Sequence, residues 1–275
     1  MTRATLSDVL QPALRDGHAV AGLVCLGWED MRAYAMAAEA EGSPVILQAG
    51  PGCRAHTPLP VLGAMFAELA GLVSVPVVSH LDHGYTADEC RAAIDAGFSS
   101  VMFDGSRLPL AENIAQTRAI VEMAHAAGVS CEGEIGFVGY DQGEASQGTD
   151  PDEAARFAQE TGVDAMAVSV GNVHLQTSAG AGLDRARIAA IEAVTDVPLV
   201  IHGGSGVGAA ERRDLALNSR ICKFNIGTEL RQVFGQELRR VLAVDADSFD
   251  RVALLKQLEE PICAATRGVL RNLMR

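Results

Sequence analysis

Eight times along the chain, a short and almost wholly apolar run is followed by a longer stretch with helical spacing. This alternation constrains the fold more than any other feature. The runs are 19–26 (AVAGLVCL), 44–49 (PVILQA), 75–81 (VPVVSHL), 99–103 (SSVMF), 129–135 (VSCEGEI), 164–170 (DAMAVSV), 197–202 (VPLVIH) and 221–226 (ICKFNI). Between them lie segments such as EDMRAYAMAAEAEG, TADECRAAIDAG and DEAARFAQETG, several with Asp or Thr near the start and Gly at the end, as helix caps require. Strands that are apolar throughout, rather than alternating, belong to a parallel sheet covered on both faces. Eight strand–helix units close into a barrel, so the reading is an α/β fold, a (β/α)8 TIM barrel, with an open doubly wound sheet as the alternative. The 275 residues suit one such domain spanning 1–275, and 245–275 are left over as an extra C-terminal helical tail of one or two helices.

Composition narrows the partners. A net charge of −13 argues against nucleic acid and anionic membrane surfaces. No run approaches the ~18 apolar residues of a bilayer span, and the first twenty residues lack a signal peptide's apolar core. Six scattered cysteines without a CxxC pair read as reduced thiols, so a cytoplasmic protein is expected.

In such a barrel the strand C-termini and the loops after them build the active site. The unusual polar residues fall there. The third run ends in His80, Asp82 and His83, the fourth in Asp104, and the fifth carries Glu132 and Glu134. His174 follows the sixth, His202 ends the seventh, and Asn225 lies in the eighth. So many titratable groups at one rim are costly without a cation, and three histidines from separate strands suit a catalytic zinc with one position open. His80 and His83 both compete for the third-strand ligand: three apart, they would face opposite sides of an extended strand, but that parity fails if the strand ends near Leu81. His18, His56 and His125 read as solvated. Two glycine-rich turns, Gly203-Gly204-Ser205-Gly206 and Asn225-Ile226-Gly227-Thr228, would let backbone amides approach a phosphate after strands seven and eight.

HLDHG at 80–84, MFDGS at 102–106, GEIG at 133–136, TDP at 149–151, TGVDAMAVSVGNVH at 161–174, IHGGSG at 201–206 and KFNIGT at 223–228 occur in one order. Together they resemble the class II fructose- and tagatose-bisphosphate aldolases over nearly all of residues 1–230. The resemblance implies a metal-dependent aldolase, a lyase acting on a ketose (bis)phosphate to give dihydroxyacetone phosphate and an aldehyde. It implies Zn²⁺, or another divalent transition metal, on His83, His174 and His202, and Asp82 as the catalytic proton-transfer acid. Asp104 and Glu134 match carboxylates that border the metal or hold a second cation. Gly203, Ser205, Asn225, Gly227 and Thr228 fall in the dihydroxyacetone-phosphate site. A homodimer or homotetramer is expected. Lys223 and Lys256 are the only lysines, and neither is needed for a Schiff base.

Departures from the family pattern cluster around the substrate. Relatives usually read His-Gly after the second zinc histidine, followed closely by Tyr and Lys; here the run is His174-Leu175-Gln176-Thr177-Ser178. The first strand reads Gly22-Leu23-Val24-Cys25-Leu26-Gly27 in place of AFNVNN, and the second ends Gln48-Ala49-Gly50 where Ser or Thr is usual. After strand five, GYDQGEAS aligns Gln142 with the acid that moves the substrate C3 proton, with Asp141 and Glu144 beside it. Two other readings stand beside the bisphosphate aldolase: an aldolase for a singly phosphorylated or unphosphorylated ketose, and an inactive metal-binding barrel serving as a partner subunit. Retention of Asp82 with all three histidines argues against the last.

Overall fold

The computed structural model describes residues 2–274 except 178, 179 and 181. Eight parallel strands form a closed barrel in chain order: β1 (Val20–Val24), β2 (Val45–Ala49), β3 (Val77–Gly84), β4 (Ser100–Phe103), β5 (Ser130–Ile135), β6 (Ala165–Val168), β7 (Leu199–Ile201) and β8 (Ile221–Ile226). The ring closes where β1 pairs with β8, Val20 opposite Lys223 and Gly22 opposite Asn225. Every run read as a strand is one. The helices are α1 (Leu6–Asp16), α2 (Trp28–Glu41), α3 (Pro51–His56), α4 (Leu59–Leu72), α5 (Ala87–Asp95), α6 (Leu110–Ala126), α7 (Pro151–Thr161), α8 (Arg185–Glu192), α9 (Ala209–Asn218), α10 (Thr228–Val244) and α11 (Arg251–Leu273). Their ends carry the expected caps. Thr86 accepts from the Glu89 amide, Asp150 accepts from the amides of Asp152 and Glu153 just past Pro151, and Gly42 and Gly162 close α2 and α7 in the left-handed conformation.

Two apolar cores result. The larger lies between the strands and the outer helices, and the smaller fills the barrel interior. Helix α1 seals the smaller one. Leu6, Val9, Leu10 and Ala13, one face at helical spacing, pack against Val20, Ile46, Val78, Met102 and Val200 at the N-terminal end. With that end plugged, a ligand can enter only from the C-terminal end.

The tail beyond 245, expected as one or two helices, contains one long helix, α11. It packs on α2 through a bidentate Arg32–Glu259 pair and through Glu41, which accepts from Arg267 and Arg271. Strand β3 does not end near Leu81. It runs to Gly84 with a register shift after Leu81, and His83 sits at φ 55°. One left-handed residue breaks the two-residue alternation, so Asp82 and His83 both reach the cavity above the barrel.

Candidate metal and substrate site

The irregular end of β3 is held from α3. Arg54 donates to the carbonyl oxygens of Ala49 (2.9 Å), Asp82 (2.6 Å) and His83 (3.0 Å), satisfying groups that the broken register leaves without ladder partners. The clamp fixes His83 opposite the end of β7, which delivers His202, and opposite the loop after β6, which delivers His174. Ring centroids lie 4.7 Å apart for His83 and His202, 5.2 Å for His83 and His174, and 5.6 Å for His174 and His202. A nitrogen from each lies within 4.8 Å of the other two.

The tautomers are set from outside. His83 Nδ1 is 2.8 Å from Asp104 and His202 Nε2 is 3.1 Å from Glu132, leaving His83 Nε2 and His202 Nδ1 facing one another at 3.1 Å. Ring nitrogens turned inward and backed by carboxylates are the arrangement of metal-binding histidines. Asp104 and Glu134 also come within 4.8 Å of His83, and Glu134 Oε2 is buried without a hydrogen-bond partner. Burial and the nearby Asp104 carboxylate push Glu134 up to about 8. Burial disfavours a charged His83, yet Asp82, Asp104 and Glu134 outweigh it and push that group up to about 9. Burial and neighbouring His83 push His174 down to about 4 and hold His202 well below the usual histidine range. The donor set thus combines a cation-attracting field, three converging imidazoles and an orphaned carboxylate oxygen, and it fits a divalent transition metal.

His80 is not part of this set. It lies fully buried one layer down, with Nδ1 2.8 Å from Ser100 Oγ and Nε2 3.5 Å from Lys223. His125, read as solvated, is half exposed and pairs with Asp164 at 2.8 Å. His56, also read as solvated, has Nδ1 3.0 Å from Thr57 Oγ1.

A cavity of about 290 Å³ opens above the histidines. Asp82, His83 and His174 line one side; Gly203, Ser205, Asn225, Gly227 and Thr228 line the other. Ser205 Oγ accepts from the amides of Gly227 and Glu229, tying the turn after β7 to the start of α10. Gly203 has φ 64°, and a Cβ there would fall 2.1 Å from the Val173 carbonyl oxygen, so the turn's close approach to the His174 loop requires glycine. Asn225 Nδ2 lies 3.5 Å from Asp82 Oδ1. The phosphate candidates, Asp82, His83 and His174 therefore share one cavity, and His202, fully buried, meets His83 at 3.1 Å.

The loops after β5 and β6 deviate from the expected picture. Asp141, Gln142 and Glu144 are exposed and none lines the cavity; Glu144 pairs with Arg107 at 2.7 Å, and Arg107 in turn lies over the Phe137 ring. Tyr140 takes their place, its ring 5.1 Å from that of His174, while its neighbours Gly139 and Asp141 make the backbone hydrogen bonds to His174. Leu175 keeps a left-handed backbone, φ 60°, which glycine would adopt freely, and presents its side chain to the mouth. Gln176 lies across Gly206, where a Cβ would meet its Oε1 at 2.0 Å. Ser178 lies outside the described residues.

Three further side chains were given no role in the site by the sequence. Arg231, one turn into α10, lines the cavity; its Nε is buried without a hydrogen bond, and no carboxylate pairs with it among the described residues. Its only sequence signal is a position four beyond Gly227. Gln48 is fully buried beside Asn225 with both amide atoms unpartnered. Lys223 is fully buried in a salt bridge with Glu132. A lysine amid the apolar residues of a strand was the clue there. A second cavity of about 400 Å³ between α2, α10 and α11 shares Leu26 and Arg231 with the first, but none of the histidines.

Residues 4–275 match the family described as fructose-bisphosphate aldolase class-II. The chain is 35% identical to the fructose-bisphosphate aldolase of Geobacillus stearothermophilus, over 99% of this chain and 97% of the relative. It is 38% identical to the 6-phospho-5-dehydro-2-deoxy-D-gluconate aldolase of Shouchella clausii, over 92% and 88%. Among solved structures, the YdjI aldolase from Escherichia coli K12 superposes with a TM-score of 0.86 at 28% identity, covering 98% of this chain and 96% of that one.

Proposed function

The chain belongs to the class II fructose-bisphosphate aldolase family, and on that premise we propose that it is a metal-dependent lyase cleaving the C3–C4 bond of a phosphorylated ketose. The observation that carries this reading is the convergence of ring nitrogens of His83, His174 and His202 within 4.8 Å of one another, with His83 and His174 lining the same cavity as Asp82. His83, His174 and His202 would hold Zn²⁺ or a similar ion, which when bound would supply Lewis-acid polarisation of the ketose carbonyl. Asp82 accepts the C4 hydroxyl proton as the bond breaks and returns it to the aldehyde oxygen in the condensation direction. Gly203, Ser205 and Thr228 offer amides and hydroxyls to the phosphate of the dihydroxyacetone half, and Gly227, whose amide donates to Ser205, keeps the backbone close beside them. Asp104 orients His83.

The substrate class follows from the remaining cation. The names of the two relatives imply substrates with a phosphate on the ketose half and a second acidic group, phosphate or carboxylate, on the other. Arg231 is a basic side chain in the cavity without a carboxylate partner among the described residues, which suits such an anion. Leu175 and Gln176 occupy the mouth where the family adds a glycine and, shortly after, a lysine.

A cleavage panel tests the reading. The zinc-loaded protein should release dihydroxyacetone phosphate from ketose phosphates bearing a second acidic group faster than from singly phosphorylated or free ketoses. Equal rates on free and phosphorylated ketoses would overturn the substrate class and favour an unphosphorylated donor.

A further inference from the structure

Beneath the histidines lies a charged layer that the proposed chemistry leaves unused. Lys223 on β8 and Glu132 on β5 have fully buried side chains, with Nζ 2.7 Å from Glu132 Oε2. The other carboxylate oxygen, Oε1, is 3.1 Å from His202 Nε2. Lys223 Nζ also lies 3.5 Å from His80 Nε2, while His80 Nδ1 meets Ser100 Oγ. The chain of contacts thus runs from β4 through β3, β8 and β5 to the metal candidate on β7. Neither Lys223 nor Glu132 lines the cavity, so neither can touch substrate.

Stability alone does not explain the pair. Buried ion pairs are commonly matched or exceeded in stability by apolar residues of similar volume, and the barrel interior on the α1 side of this one is apolar. What apolar residues cannot supply is an acceptor for His202 Nε2–H. That hydrogen bond selects the tautomer whose free nitrogen is Nδ1, the atom facing His83 Nε2 at 3.1 Å. A carboxylate in this position, with no solvent contact, requires a compensating cation. His83 contrasts with this: its carboxylate, Asp104, lies near the rim and is supported by Ser106.

We infer that Lys223 and Glu132 are positioning residues for the metal centre: Lys223 makes a buried carboxylate tenable, and Glu132 fixes the tautomer and orientation of His202. This rests on the metal-dependent reading above. The test measures Co²⁺ affinity by chelator competition, the visible absorption of bound Co²⁺, and metal-free melting for the parent, Glu132→Gln, Lys223→Met and the double variant Lys223→Met/Glu132→Leu. The three variants should bind Co²⁺ about ten- to a hundred-fold more weakly, with an altered absorption band. The double variant should nevertheless melt close to the parent, because no charge is left stranded. If Lys223→Met fails to fold, the double variant decides. A double variant with parental affinity and spectrum would reduce the pair to a structural ion pair and overturn the inference. So would borohydride trapping of dihydroxyacetone phosphate on Lys223, which would make it a nucleophile. Failure of the parent itself to bind Co²⁺ would instead sink the metal-dependent reading, and this inference with it.

Discussion

The floor of the cavity and its rim are held by different kinds of contact. On the floor, His202, Glu132 and Lys223 project from three strands, are fully buried, and bind one another. On the rim, Tyr140 is 39% exposed and Leu175 51% exposed, both on loops. Floor residues are positioned by the barrel's register, so altering one disturbs several partners. Rim residues are positioned by a few loop contacts, such as those joining Gly139 and Asp141 to His174, and can be exchanged with less consequence for the fold. The floor is therefore less free to change than the rim, although His174, a metal candidate, comes from the loop after β6.

The comparison breaks first, if it breaks, on the floor. Replacing His202 by Ala should take bound metal from about one equivalent per chain to far below it, because a three-ligand site loses a third of its protein donors. Elemental analysis checks this, and full retention of metal in single alanine variants of His83, His174 and His202 would remove the assignment. Next in size is Asp82→Asn, which keeps the shape but not the base. Its kcat should fall by roughly 10²–10⁴ with metal content and melting unchanged. A near-normal kcat would pass the proton to another acid.

At the boundary between the two regions sits Arg231. Arg231→Ala should raise KM for an acidic ketose phosphate by about ten- to a hundred-fold, the worth of one charge-assisted hydrogen bond. Rates on a neutral ketose should not change. An equal loss on both would place Arg231 in the fold rather than in recognition. The smallest effect belongs to the rim. Tyr140→Phe should alter kcat/KM by no more than about ten-fold, the range of a single neutral hydrogen bond. A loss as large as that of Asp82→Asn would show that the rim takes part in the chemistry and would erase the distinction.

The same division governs what could be read from residues alone. All eight strands were legible, because a two-sided parallel strand leaves a continuous apolar run, and the caps of α2, α5 and α7 were visible as Thr86, Asp150, Gly42 and Gly162. His174 and His202 were legible from the common strand-end register. His83 was chosen over His80 by resemblance; local alternation could not decide, since the positive φ at His83 that turns both it and Asp82 into the cavity depends on Arg54, nearly thirty residues upstream. The Lys223–Glu132 pair joins strands ninety-one residues apart, and no spacing rule reports it. Tyr140 was hidden by alignment: Gln142 held the place of the expected acid, but the loop's path carries that position to the surface. Helix α1 was overlooked because the eight-unit count began at β1.

The most direct test of the account is the rate of dihydroxyacetone phosphate release from an acidic ketose phosphate, followed through chelation and metal return in a single preparation. The account predicts that release stops when the ion is removed and resumes on addition of Zn²⁺ or Co²⁺ at one equivalent per chain. Undiminished release by protein shown by elemental analysis to be metal-free would contradict it.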